Sequence, residues 1–120
     1  MIRGIRGAIT IKENTESDIV KATEKLIREL IVKNDIEADN VASVFISATE
    51  DIDAAFPAKA LRLIEGWTYV PVTCMREIPV ANSLEKCIRV MLHINTEKKQ
   101  ADIHHVYLEK AISLRPDLNN

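Results

Sequence analysis

Apolar residues recur along this chain with two periods, every second position in some segments and every third or fourth in others, so strands and helices should follow one another through short connections. The segment Ile2–Ile11 reads as a first strand, and Gly4 and Gly7 inside it point to a bulge or to close approach by another backbone or a ligand. From about Ser17 to Lys33, Ile19, Ala22, Leu26, Ile27, Leu30 and Ile31 share one helical face behind a capping box at Thr15 and Asp18. Such an amphipathic helix should lie on a sheet. Val41–Ala48 (VASVFISA) is too short and apolar for anything but a buried strand, bounded by the acidic turn Thr49–Asp53. A short helix should start near Pro57, whose fixed φ suits a first turn, and end at Gly66. Trp67–Val72 (WTYVPV) then reads as a strand that Pro71 confines to an edge or a bulge.

The most informative segment is Cys87–Ile94. Alternation places Cys87, Arg89, Met91 and His93 on one side, and the aliphatic Ile88, Val90, Leu92 and Ile94 on the other, which belongs under a helix. A final strand over Ile103–Leu108 should set His105 and Tyr107 opposite Val106 and Leu108. The fold class is therefore α/β, in the α+β sense, with a single mixed sheet of about five strands, one long helix and one short one. Two such helices cannot cover both faces of the sheet. Self-association through the open face is the simplest remedy, and it places the Arg89 side at a subunit junction.

A chain of 120 residues that is 47% hydrophobic supports one domain, taken as residues 1–120, with a true core. No segment reads as a secretory signal or a membrane span, so a cytoplasmic protein with no membrane partner is expected. A net charge of -2 excludes general attraction to nucleic acid, and an aromatic content of 4% leaves too little for base stacking. Any cationic site must be local. Cys74 and Cys87 lack metal or redox spacing and read as reduced, inert thiols.

Familiar catalytic devices are hard to find in this sequence. Adjacent strand residues such as His104 and His105 point to opposite faces, and His93 has no ligand partner at i+2 or i+4, so no metal site is expected. Ser43, Ser47, Ser83 and Ser113 lie outside any nucleophile elbow and read as structural. None of the three glycines opens the long helix as a phosphate loop would require, so no nucleotide or other cofactor is expected. What remains is a set of arginines in or beside apolar segments: Arg3, Arg6, Arg62, Arg89 and Arg115. A guanidinium among aliphatic residues is costly to desolvate unless it meets an anion. That anion could be an internal partner, Glu77 or Asp102, or a bound carboxylate, and the physics alone weighs the two equally.

Five stretches carry a resemblance: RGIRGA from Arg3, FPAKALR from Phe56, GWTYVPVTCM from Gly66 with Glu77 just after it, CIRVM from Cys87, and HVYLEKAISLRPDL from His105. In this order and spacing they are similar to the monofunctional trimeric chorismate mutases, and they span nearly the whole chain. The long first helix matches in pattern only. The resemblance implies a homotrimer with a barrel-like core and active sites in the clefts between subunits. It also implies rearrangement of the dicarboxylate chorismate to prephenate, a [3,3] shift on the route to phenylalanine and tyrosine. Such a step requires no nucleophile, metal or redox cofactor.

By the same resemblance Arg89 donates to the breaking ether oxygen and Glu77 accepts from the ring hydroxyl, with Cys74 nearby. Arg6 grips a substrate carboxylate with help from Tyr107, while Phe56, Ala58, Lys59, Val72, Thr73 and Leu114 form walls. Met75 and Arg76 complete the substrate-binding set, and Arg62 and Arg115 stand as entrance charges. The Phe56–Cys74 segment would come from one subunit, and Arg6, Arg89 and Tyr107 from its neighbour. Two alternatives of other kinds stand beside this reading: a trimeric imine deaminase, and a non-catalytic regulatory protein that binds small carboxylates and has no need of Glu77.

Overall fold

Alternation along β1 (Ile2–Thr10) buries Ile5, Gly7 and Ile9 on one face of the sheet and leaves Arg6, Ala8 and Thr10 on the other. A computed structural model describes residues 1–115; the Pro116–Leu118 part of the last matching stretch lies outside them. The helix α1 (Glu16–Asn34) starts where Thr15 accepts the Asp18 N–H. The Asp18 carboxylate reaches back to the Glu13 N–H, so the cap closes two residues further out than a capping box would. The helix ends at Asp35, whose left-handed φ of 52° lets its N–H bond the Ile31 carbonyl.

Four more strands complete one mixed sheet: β2 (Val41–Ala48), β3 (Val72–Arg76), β4 (Cys87–Asn95) and β5 (Val106–Leu108). Their order is β3-β2-β4-β1-β5. The central β4 runs antiparallel to β2 and β1, while each edge strand runs parallel to its neighbour. Ile88, Val90, Leu92 and Ile94 of β4 join Ile5, Ile9, Val44 and Ile46 beneath Ile19, Leu26, Ile27 and Leu30 of α1, all buried in one core. At about 1.5–3 kcal/mol for each large aliphatic side chain fully buried, this one-sided core is the main stabilising term. No helix of the described residues is long and apolar enough to cross a membrane.

Gly7 needs no bulge, since the β1–β4 register runs unbroken from Ile2 to Thr10. A Cβ there would stand 3.0 Å from Leu26 Cδ1 and 3.1 Å from both Leu30 Cδ1 and the Val106 carbonyl, so the bare backbone lets α1 and β5 close in. A register shift falls instead in β2, between Val41 and Ser43.

Three expectations require correction. The Trp67–Val72 strand is displaced: Trp67 and Val70 make turn bonds to the Ile64 and Trp67 carbonyls, the indole is buried, and the strand begins at Val72 and runs to Arg76. Pro71 precedes it, and its carbonyl accepts the Val44 N–H. The short helix is a 3₁₀ helix, Pro57–Leu63, followed by turns. The last strand starts at Val106 rather than Ile103, because a 3₁₀ turn (Gln100–Asp102) and a side-chain clamp occupy the preceding residues.

That clamp is Asn34, at the C-terminal end of α1 and only 2% exposed. Its Nδ2 donates to the Leu30 carbonyl at 3.0 Å and to the His104 carbonyl at 2.8 Å, and its Oδ1 accepts the His104 N–H at 2.8 Å. A side-chain amide thus supplies both bonds that a strand neighbour would give at His104.

The second face of the sheet is only partly covered. A 3₁₀ helix, Glu109–Leu114, packs Ala111 against Ala8, Cys87 and Tyr107 in a small separate cluster. Beyond this corner, Phe45 is 41% exposed and Met75 47%. The open face expected from the helix count is therefore present on the described chain.

Candidate active site

One residue from every strand falls in a single row across the open face. The register pairs Met75 with Ser47, Ser47 with Arg89, Arg89 with Ala8, and Ala8 with Tyr107. Arg6, two residues before Ala8, points the same way by strand alternation, as does Glu77 just past the end of β3. The Glu77 N–H still bonds the Ala48 carbonyl at 2.9 Å, which extends the β2–β3 ladder and fixes where the glutamate leaves the sheet. The start of β4 is tied as firmly. Asp51 takes the Lys86 N–H on both carboxylate oxygens, at 3.2 and 2.9 Å, and Thr49 Oγ1 takes the Cys87 N–H at 3.0 Å.

Over this row lies a cavity of about 340 Å³, within the range of small-molecule sites. Arg6, Met75, Glu77, Arg89, Tyr107, Leu114 and Arg115 line it, with Ala8 in the floor. Among the described residues, three guanidinium groups and one carboxylate line it, a set that suits a ligand with negative charge. Arg89 Nε stands 3.5 Å from Glu77 Oε2, too long for a good hydrogen bond, and Ser47 Oγ donates to the same oxygen at 2.6 Å. The internal partner considered for Arg89 is thus real, and it shares a ligand-sized cavity. Cys87 beneath is buried, and burial pushes its thiol upward although the neighbouring Arg89 pulls the other way, so it stays a protonated packing residue.

His105 has a role that the sequence did not reveal. Its Nδ1 accepts the Arg6 N–H at 2.9 Å, one position before the β1–β5 pairing begins, and so fixes the backbone that carries Arg6. Burial, reinforced by Arg6, Arg115 and His104, holds the imidazole below its ordinary value of 6.5. The fold therefore favours neutral His105, whose stabilising contribution is complete above about pH 6.5 and is lost as the pH falls through the lowered value. Urea midpoints measured from pH 8 to pH 5 should fall on the acid side, and the His105→Asn variant should fall less; equal slopes would exclude this histidine as the cause.

The remaining expected site residues lie elsewhere on the single chain. Phe56, Ala58, Lys59, Arg62, Val72, Thr73 and Cys74 line a separate depression of about 860 Å³ beside the β3 edge. Lys59 pairs there with Glu16 at 3.0 Å. Arg76 turns away from Arg89 and clasps the acidic turn, donating to the Thr49 and Ile52 carbonyls at 2.9 and 3.1 Å. A wider hollow of about 1070 Å³ between α1 and residues 82–86 meets the Arg89 cavity only at Arg89 and Leu114. Its exposed lysines stand among acidic side chains, as in Lys25–Glu109, and weak screened pairs of this kind organise no ligand. Among the described residues no cluster of His, Cys, Asp or Glu could hold a metal ion.

Comparison with known proteins bears directly on this cavity. Residues 2–118 match the family model for chorismate mutase type I. The chain is 50% identical to chorismate mutase AroH of Bacillus subtilis, across 99% of this chain and 94% of that protein. It is 45% identical to chorismate mutase AroH of Thermus thermophilus, across 100% and 98%. A solved chorismate mutase from Clostridium thermocellum superposes with a TM-score of 0.90 at 50% identity, covering 92% of this chain and 98% of that one.

Proposed function

The chain belongs to the type I chorismate mutase family and is a chorismate mutase, and we propose that it rearranges chorismate in the cavity above the Met75–Ser47–Arg89–Ala8–Tyr107 row. The imine-deaminase and regulatory readings give way to this one. The observation that carries the site assignment is the pair of opposite charges, Arg89 and Glu77, 3.5 Å apart in an arginine-lined cavity.

The reaction breaks an ether C–O bond ahead of C–C bond formation, so negative charge gathers on the ether oxygen and positive charge on the ring. Arg89 donates to that oxygen, and Glu77 accepts from the ring hydroxyl and faces the partly cationic ring. Arg6, Arg115 and Tyr107 hold the carboxylates, and restraint of the two reacting ends supplies the remaining lowering of the barrier. Arg89 and Glu77 keep side-chain exposures of 44% and 24%, so their pairing is worth only about 0–1 kcal/mol and a substrate displaces it cheaply.

The second depression completes the site from a neighbouring subunit in a homotrimer. Support comes from the open sheet face with its exposed Phe45 and Met75, and from the separation of the two sets of lining residues on one chain. Mixing two impaired variants tests this. Arg89→Ala spoils one half, and a Phe56→Ala, Lys59→Ala, Arg62→Ala triple variant spoils the other. After mixing under exchange conditions, chorismate turnover should rise several-fold above the sum of the two separate samples, because some clefts then combine two intact halves. A purely additive rate, or full activity in the triple variant alone, would rule out the shared cleft.

A further inference from the structure

The backbone fixes where Glu77 leaves the sheet but not where its carboxylate comes to rest. It lies one residue beyond β3 on a side chain with three rotatable bonds, and a guanidinium lies within reach. Left to itself, such a carboxylate closes onto the arginine as a charge-assisted hydrogen bond of about 2.7–2.9 Å. Here it stops at 3.5 Å. The group placed to stop it is Ser47, which the register sets between Met75 of β3 and Arg89 of β4. Its hydroxyl donates to Glu77 Oε2 at 2.6 Å, within the short range of an O–H···O⁻ bond. The serine rides on an interior strand, so its hydroxyl is a fixed post for the longer glutamate side chain beyond the strand end.

We infer that Ser47 is a positioning residue for the rearrangement: it holds the Glu77 carboxylate off Arg89, so that the arginine keeps its charge for the ether oxygen and Glu77 Oε1 is turned to the substrate. Ser47 has no chemical step of its own and acts through Glu77. The inference rests on the reading of Glu77 as the acceptor for the ring hydroxyl. Without the hydroxyl, the carboxylate is free to pair tightly with Arg89, and each turnover must first separate the two.

The test uses the isosteric pair Ser47→Thr and Ser47→Val, together with Ser47→Ala, Glu77→Ala and the double variant Ser47→Ala, Glu77→Ala. Threonine keeps the hydroxyl and suits a strand. The expected result is a roughly tenfold fall in kcat/KM for Ser47→Ala and Ser47→Val, the effect of one hydrogen bond to a charged group, with near-normal turnover for Ser47→Thr. The double variant should be no slower than Glu77→Ala alone, since the serine has nothing left to hold. Melting temperatures separate folding from rate, and if the valine variant does not fold, alanine against threonine carries the comparison. An impaired Glu77→Ala beside fully active Ser47→Ala and Ser47→Val would overturn the role of Ser47 alone. Additive losses in the double variant, or a threonine variant as slow as the valine one, would reduce Ser47 to a structural residue. Full activity in Glu77→Ala would overturn the reading of Glu77 and the role of Ser47 with it.

Discussion

Replacing Arg89 by alanine is expected to cut kcat at least about 150-fold, near 3 kcal/mol of barrier, and to raise KM by a much smaller factor. The asymmetry follows from when the charge appears. The ether oxygen is neutral in bound chorismate and becomes anionic only as its C–O bond breaks, so its donor contributes mainly at the top of the barrier. Loss of folding cannot imitate this result. The ion pair lost with Arg89 is half exposed and worth at most about 1 kcal/mol, so the variant should melt close to the parent. Arg89→Lys should remain well below the parent rate, because an ammonium offers a point charge on a different stem in place of a planar fork. A change confined to KM would mean that Arg89 binds the ground state only, and the donor role would have to pass to another guanidinium of the cavity.

The largest expected loss of stability comes from a residue outside the site. Asn34→Ala deprives the His104 N–H and carbonyl of their partner and also removes the buried side-chain bond to the Leu30 carbonyl. A typical hydrogen bond contributes about 0.5–1.5 kcal/mol net, so the loss of these three together is expected to cost about 2–4 kcal/mol against a net stability of about 5–15 kcal/mol. Calorimetry should show a melting point lower by roughly 10 °C or more. The isosteric Asn34→Asp should not restore it, because an oxygen would then face two carbonyl oxygens in place of a donor. Activity should fall at a lower temperature as well, since His104 leads directly into His105 and Tyr107. An unchanged melting point would show that the approach to β5 is held by other contacts.

Most of the framework is legible from periodicity, and the departures share a cause. The aliphatic face of β4, the apolar stripe of α1 and the β2 boundaries follow from local alternation, which tertiary contacts reinforce. Trp67–Val72 misleads because aromatic and β-branched residues favour strands, yet Trp67 buries its ring by turning back into the core, and the ladder starts only at Val72. Ile103–His105 looks like strand because the sequence gives no sign that a helix-borne asparagine, Asn34, will satisfy that backbone instead.

The site divides along the same line. Arg89 could be picked out because a charge in an otherwise aliphatic strand is locally conspicuous, while its ether-oxygen role came from family resemblance. In the sequence Ser47 reads as structural and His105 only as a rejected metal ligand, because each matters through one partner far along the chain: Glu77 for the serine, the Arg6 N–H for the histidine. Ala8 is equally silent in the sequence. Only the register shows that its small side chain forms the floor between Arg89 and Tyr107.

The position of β1 in the sheet also governs how the chain is made. Ile2 faces Asn95, Thr10 faces Cys87, and the other neighbour, β5, begins only at Val106. On a ribosome adding about 5–20 residues each second, the first strand emerges many seconds before either flank exists. During that interval its isoleucines and unpaired amides are open to chaperones or to a second nascent copy. Loop closure over such spans is slow, so the whole sheet should condense in one late step. A nascent chain cut short before Cys87 should therefore remain protease-sensitive throughout, with no stable sub-structure.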